Sequence, residues 1–435
     1  MSFRYESLDE LDPVGIEVQL TAIQASLLEQ SALVDVRRLD AGSYRLLPNG
    51  RVGAVRFDDL QIEVTPKQKL GVAHLLFLLG YAKDRVFRPE TVMGETYDDL
   101  WPAMAQSLVA SVERALTTGL LQGYRTEQEA LLTVRGRIAF EDQLRRRPGS
   151  VVPIEVRYDE FSPDIAENQI LLAAIHLMLG VPRIPSETRR QLLHLAARFA
   201  GVTRLLPGTP APRWQPTRLN DRYHSALSLA EILLRHSSTR VSARGVEMSA
   251  FVVVMWKVFE DFVTVALADA LSGCPGRLEA QLPAYLTGDG DWSAGRTGAA
   301  DDPHGDISMN VDVVHRDEAG VPDVIFDAKY KLASSTGSNA NADHYQMLAY
   351  CTALQVRVAW LIYAGGGSDI RRRIKNTDVE IVAAPINLRR PPREVLARIS
   401  QIALAAVHKS AGRPATPSDG RHSLRGGLGL RSPGR

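Results

Sequence analysis

Asp312–Lys329, reading DVVHRDEAGVPDVIFDAK, carries the strongest structural and chemical signal in the chain. Val311–Val314 and Val321–Phe326 are apolar and largely β-branched, so both predict strands. The polar Asp317-Glu318-Ala319-Gly320 between them predicts an antiparallel hairpin. A turn centred on Ala319 and Gly320 sets Asp312 opposite Asp327. Strand side chains alternate faces, so Asp327 and Lys329 point one way and Ala328 the other. Two carboxylates and one ammonium then converge. Two hard oxygen donors suit Mg²⁺, and a neighbouring lysine suits a metal-activated water. Asp323 offers a rival acid, in Pro322-Asp323. It precedes Asp327 by about 13 Å along the same strand, so it cannot lie across a hairpin from it.

Two more residues belong to this reading. Gln346 lies in a predicted helix, Asp343–Leu354, whose buried stripe is Met347, Tyr350 and Leu354, and it can face the strand edge carrying Lys329. Glu260 sits in an otherwise apolar helix, Trp256–Val263, where a carboxylate needs a partner; a metal or a lysine would supply one. The plainer alternatives are a solvated Asp–Lys pair at a strand end and an ordinary surface position for Glu260.

With 435 residues, 45% hydrophobic and 23% charged, the chain reads as a soluble globular protein of two or three domains. Its formal net charge of +1 leaves nucleic-acid binding to local basic faces. Cys274 and Cys351 have no CxxC spacing and read as free thiols in a reducing cytoplasm. No apolar leader or membrane-length run stands out, so a cytoplasmic location without membrane attachment is expected. Gly365-Gly366-Gly367 lacks the Gly-Lys-Ser/Thr of a phosphate-binding loop, so this chain is expected to bind no nucleotide itself. His304 and His315 flank the site region and read as loop residues. Arg145–Arg147 and Arg371–Arg373 read as solvated faces that could follow DNA phosphates, the second within the same domain as the hairpin.

The fold class expected is α+β and multidomain. Residues 1–119 form an N-terminal β-rich and helical module. Within it Tyr44–Leu47 and Arg51–Val55 flank Pro48-Asn49-Gly50 as a tight hairpin. A helix is predicted at Val72–Ala82, and another at Asp98–Thr118 with Leu100, Met104, Leu108, Val112 and Ala115 on one stripe. Residues 120–245 read as short strands, then helices, the first of them capped near Ser162-Pro163-Asp164. Residues 246–408 hold a helix from Ala250 to about Leu271, then strands and helices in the order α-β-β-β-α-β, which gives a mixed sheet flanked by helices. Residues 409–435 form a basic tail expected to be disordered.

Several phrases in order resemble a known family. They are Ile62-Glu63-Val64-Thr65-Pro66-Lys67, Leu75–Ala82, Val134-Arg135-Gly136-Arg137-Ile138, Tyr158–Asn168, Phe259–Val263, Asp327-Ala328-Lys329-Tyr330-Lys331 and Tyr345–Tyr350. Together they resemble the McrC-like nuclease subunits of McrBC modification-dependent restriction systems, within the PD-(D/E)xK nuclease superfamily, over about residues 14–408. The resemblance matches Asp312 to the first motif acid, Asp327 to the second, Lys329 to the motif lysine, Glu260 to the helix acid and Gln346 to the following glutamine. Val311 stands where the motif proline is usual. The resemblance implies Mg²⁺ held by Asp312, Asp327, the Ala328 backbone carbonyl and in some arrangements Glu260. It also implies hydrolysis of modified double-stranded DNA, and a McrB-like AAA+ GTPase partner that docks on the N-terminal module and reads the modified base. The alternatives are a non-catalytic activator of such an NTPase and a standalone nuclease.

Overall fold

A computed structural model describes residues 3–66, 70–83, 100–206, 209–241, 245–286, 307–330 and 338–411. The chain runs through β1 (Arg4–Asp9), β2 (Ile16–Gln19), α1 (Ala22–Ser31), β3 (Val34–Asp40), β4 (Ser43–Pro48), β5 (Arg51–Arg56), β6 (Leu60–Thr65), α2 (Val72–Lys83) and α3 (Leu100–Ala115). It continues with β7 (Gly123–Leu131), β8 (Arg137–Ile138), α4 (Phe140–Arg146), β9 (Ile154–Ser162), α5 (Ala166–Leu179), α6 (Ser186–Arg198), α7 (His224–His236), β10 (Ser237–Val241) and β11 (Glu247–Val254). The last part holds α8 (Met255–Ala270), β12 (Arg277–Tyr285), β13 (Ser308–Arg316), β14 (Pro322–Lys329), α9 (Ser338–Leu354), β15 (Val358–Ala364), β16 (Ile370–Arg373), β17 (Glu380–Ile386) and α10 (Pro392–Ala411). The fold is mixed and multi-sheeted, as the patterning predicts. None of the described helices is long and apolar enough to cross a membrane.

The Leu100-to-Ala115 stripe of α3 is buried throughout. The Asn-Gly hairpin, in contrast, does not form. β4 joins a sheet ordered β2-β4-β3, whereas β5 joins another ordered β1-β6-β5-β11-β10. Asn49 donates to the Ala32 carbonyl and the Asp35 carboxylate, both at 3.2 Å, and the turn becomes a corner between sheets. The cause is burial: Val52–Arg56 are all buried, which a two-stranded hairpin cannot provide. Gly53 secures the central place. Its φ is +137°, and a Cβ there would stand 1.9 Å from the Phe251 carbonyl oxygen.

Ala250–Val254 are strand rather than the start of a helix, because Val252-Val253-Val254 favours extended backbone and pairs with β5. The expected division at 245/246 therefore falls between two hydrogen-bonded strands of one sheet, β10 and β11. The Lys83–Met93 stretch beyond Lys83, the Thr287–Gly305 loop, Lys331 and most of the basic tail lie outside the described residues.

β7, β9 and β8 form a separate sheet that carries α4 and exposes Tyr124, Leu132, Phe140, Leu144 and Phe161. Arg145 pairs with Asp142, and Arg146 and Arg147 pair with Glu155, so this basic run is largely neutralised locally. Two buried residues hold the root of this arm. Asp164 is not a helix cap. It accepts from Arg125, from Gln169 at 2.7 Å, and from the Thr203 N–H and hydroxyl at 2.8 and 2.6 Å. Burial opposes its charge, but these donors hold its carboxyl below the usual range. Asn168, fully buried, donates to the Leu121 carbonyl at 2.8 Å and the Pro163 carbonyl at 2.7 Å, tying the chain just before β7 to that just after β9. Asn168→Ala strands both carbonyls, so denaturant unfolding should show a loss of about 2–3 kcal/mol.

The C-terminal sheet is ordered β12-β13-β14-β15-β17-β16. β12, β13 and β14 are antiparallel neighbours; β14, β15 and β17 run parallel, with α9 crossing from β14 to β15. One face, with Val313, Phe326, Trp360 and Val382, packs with α8 and α10 into the core shared with the N-terminal sheet. The other, with Ile325, Leu361 and Ile381, is covered by Met347, Tyr350 and Cys351 of α9.

Candidate active site

The hairpin forms with one adjustment. Gly320, at φ +81°, donates to the Asp317 carbonyl at 3.0 Å, and the Asp317 N–H donates to the Val321 carbonyl at 2.9 Å. The register slips between His315 and Arg316, which restores His315↔Val324 and Val313↔Phe326 further in. The paired ladder ends at Val313↔Phe326, and Asp312, the next residue out, reaches the Asp327–Ala328 stretch of β14 through its side chain. Asp323 is elsewhere. It bonds His315 Nδ1 at 2.7 Å, and His315 is a buried strand residue, not a loop residue, whose other ring nitrogen meets the Pro275 carbonyl. His304 lies outside the described residues.

Asp312 Oδ2 accepts the Ala328 N–H at 3.0 Å. In an extended strand the N–H and C=O of one residue face the same edge, so the Ala328 carbonyl also faces Asp312. Lys329 Nζ stands 3.0 Å from Asp327 Oδ1 and 2.8 Å from Oδ2. Asp327 is 1% exposed. Burial, then the charge of Asp312, pushes its carboxyl up to about 6 despite the lysine. Burial also raises Asp312, against the opposing pull of the Ala328 N–H and Lys329. For Lys329, burial works against the ammonium, but Asp327 and Asp312 together outweigh it and hold the group above its ordinary value.

This charge balance fits a divalent cation. Two partly desolvated carboxylates share one ammonium, leaving negative charge that an ion between Asp312 and Asp327 would neutralise. Among the described residues no three His, Cys, Asp or Glu side chains group closely enough to hold a metal. Asp312, Asp327 and the Ala328 backbone are the groups that meet at this strand end, whereas the Glu260 carboxylate is taken by Gln281.

The family model described as McrBC 5-methylcytosine restriction system component matches residues 47–364. The chain belongs to this McrBC family. A chain of the refined half-complex from the tetradecameric assembly of Thermococcus gammatolerans McrB AAA+ hexamers with bound McrC shares its fold. The TM-score is 0.57 at 18% identity, over 93% of this chain and 100% of that one. A chain of the cryo-EM structure of the Thermococcus gammatolerans McrBC complex gives a TM-score of 0.40 at 18% identity, over 61% of this chain and 88% of that one. No curated protein matches the sequence.

The remaining candidates of this McrBC family member lie around the aspartate pair with partners of their own. Gln346 donates to the Tyr350 hydroxyl at 2.6 Å, not to Lys329 or either aspartate. Tyr350, expected only as core, turns its hydroxyl to the Asn310 carbonyl at 2.8 Å. Its phenol is raised by burial and then by the charge of Asp327. The Glu260 carboxylate accepts from the Gln281 amide and feels the charge of Lys257, not that of Lys329. Burial, then the charge of Asp312, raises its carboxyl. Arg371–Arg373 form the exposed edge strand β16. Arg371 pairs with Glu380 at 3.2 Å and lies over the Trp360 ring, while Arg372 meets His344 of α9 at 3.0 Å. Asp343, buried one turn before Gln346, accepts from Tyr363 at 3.0 Å and adds negative charge near Asp327. The sequence marks neither Gln281 nor Asp343: Gln281 breaks no residue pattern, and Asp343 reads as an ordinary helix start.

Proposed function

We propose that the chain is the DNA-hydrolysing subunit of its restriction system, cutting modified double-stranded DNA with Mg²⁺ and working with an AAA+ GTPase partner. The observation that carries this reading is Asp312 meeting Asp327 across adjacent strands, with Lys329 on the second carboxylate. The solved relative is an assembly of McrB AAA+ hexamers with bound McrC, and the proposal extends that partnership to this chain.

Asp312, Asp327 and the Ala328 carbonyl would hold Mg²⁺. When bound, the ion supplies charge neutralisation on a phosphate oxygen and a more acidic water. The chain supplies the rest. Lys329, held as an ammonium at neutral pH, orients a water through Nζ and stabilises charge on the phosphate, in preference to removing a proton. Tyr350 holds Gln346 and the Asn310 carbonyl beside the pair, which limits their freedom. Exposed Arg372 and Arg373 offer charge for DNA phosphates beside α9.

The test mixes the chain with its AAA+ partner, GTP, Mg²⁺ and a methylated duplex. Cleavage is expected, with complete loss on chelation by EDTA. The same mixture also distinguishes an activator of the partner that cuts nothing. Partner GTPase stimulation without cleavage of any modified duplex would establish that reading instead.

A further inference from the structure

Gln281 lies near the middle of β12, bracketed by the pairs Ala280↔Val313 and Leu282↔Val311, so it stands opposite Asp312. Its φ is +52°, the left-handed region, where a residue with a Cβ costs about 1 kcal/mol or more. The position is exposed, so burial does not offset that cost. Its amide explains the conformation. The oxygen accepts from Asn310 Nδ2, two residues before Asp312, and the nitrogen donates to Glu260 Oε1 on α8. The kink has a further effect. Val313 packs on the α8 face, yet Leu282 and Val311 pack on the α9 face, so strand alternation breaks at Gln281 and Asp312.

We infer that Gln281 is a positioning residue that fixes the Glu260 carboxylate on the Asp312 side of α8, where its charge would act on a cation held by the aspartate pair. This rests on the Mg²⁺ site proposed above. A neutral amide suits the task. Lysine or arginine would cancel the charge of Glu260, whereas glutamine fixes one oxygen and leaves the charge intact. Mg²⁺ keeps several of its waters, so a carboxylate fixed near the aspartate pair would act on the ion through them. The left-handed backbone is the means, because it turns the amide out of strand alternation toward α8.

Gln281→Gly separates the two roles of the residue, since glycine accepts the backbone but lacks the amide. Calorimetric Mn²⁺ titration of the full chain should show affinity falling about tenfold, with a melting temperature equal to or above that of the wild type. In a Glu260→Ala background the same change should add nothing, because Gln281 acts through Glu260. Unchanged Mn²⁺ affinity in Gln281→Gly, or a full additional loss in the Glu260→Ala background, overturns the inference. Wild-type protein that binds no Mn²⁺ overturns this inference and the metal reading together, whereas binding that is indifferent to Gln281 overturns this inference alone.

Discussion

Asp327→Asn should abolish DNA cleavage and, in the metal-free protein, raise stability. The two effects have one cause. Asp327 is a buried carboxyl facing Asp312, held near pKa 6 against about 3.9 in an unfolded chain. The folded state therefore binds the proton more tightly, and ionisation at neutral pH costs the fold on the order of 2–3 kcal/mol. That cost is absent below about pH 4, grows between about pH 4 and 6, and is complete above that range. Asparagine removes it, so urea unfolding in EDTA at pH 8 should favour the variant, and the gap should close toward pH 4. Cleavage should fall about a thousandfold or more, because an amide is a poor ligand for a hard cation. A variant less stable than wild type at pH 8 would contradict this account of the pair.

Lys329→Met should also remove cleavage, with the opposite effect on the fold. Both oxygens of Asp327 face the Lys329 ammonium within 3.0 Å. Methionine keeps the length of the stem but leaves two buried carboxylates without their shared cation. The metal-free protein should lose about 1–3 kcal/mol at pH 8, and the loss should shrink at pH 5 as Asp327 takes up a proton. Cleavage should fall about 10²–10⁴-fold. Two variants that both silence the site but shift the urea midpoint in opposite directions cannot be explained by general unfolding.

The aspartate pair and its lysine were legible because strand pairing is a parity problem. Apolar runs on both sides of a polar turn determine which residues face each other, and the bulge after His315 keeps His315↔Val324 and Val313↔Phe326 in register, with Asp312 reaching the Ala328 N–H just beyond. The amphipathic helices were legible for a similar reason, as α3 shows. What failed was information that no local window contains. Asn49-Gly50 has the composition of a hairpin turn, but the burial of β5 on both faces sends it to another sheet. Glu260 announced a need for a partner but not which one. Gln281 answers it from a left-handed position in a strand, where nothing in the surrounding residue pattern marks the kink. Gln346 sat on the expected helix, yet Tyr350 captured its amide.

The core common to the N-terminal and C-terminal sheets bears on how the protein can be dissected. α8 leaves β11, a strand of the first sheet, without a spacer, and Phe259 and Phe262 pack in the same apolar interior as Val55, Phe77 and Ile399. A fragment beginning near residue 246 would keep β11 but discard β5 and β10, its two hydrogen-bonded neighbours, leaving a bare sheet edge prone to self-association. Excision at that point would amputate rather than separate, and heating the intact chain should melt both halves in one cooperative event.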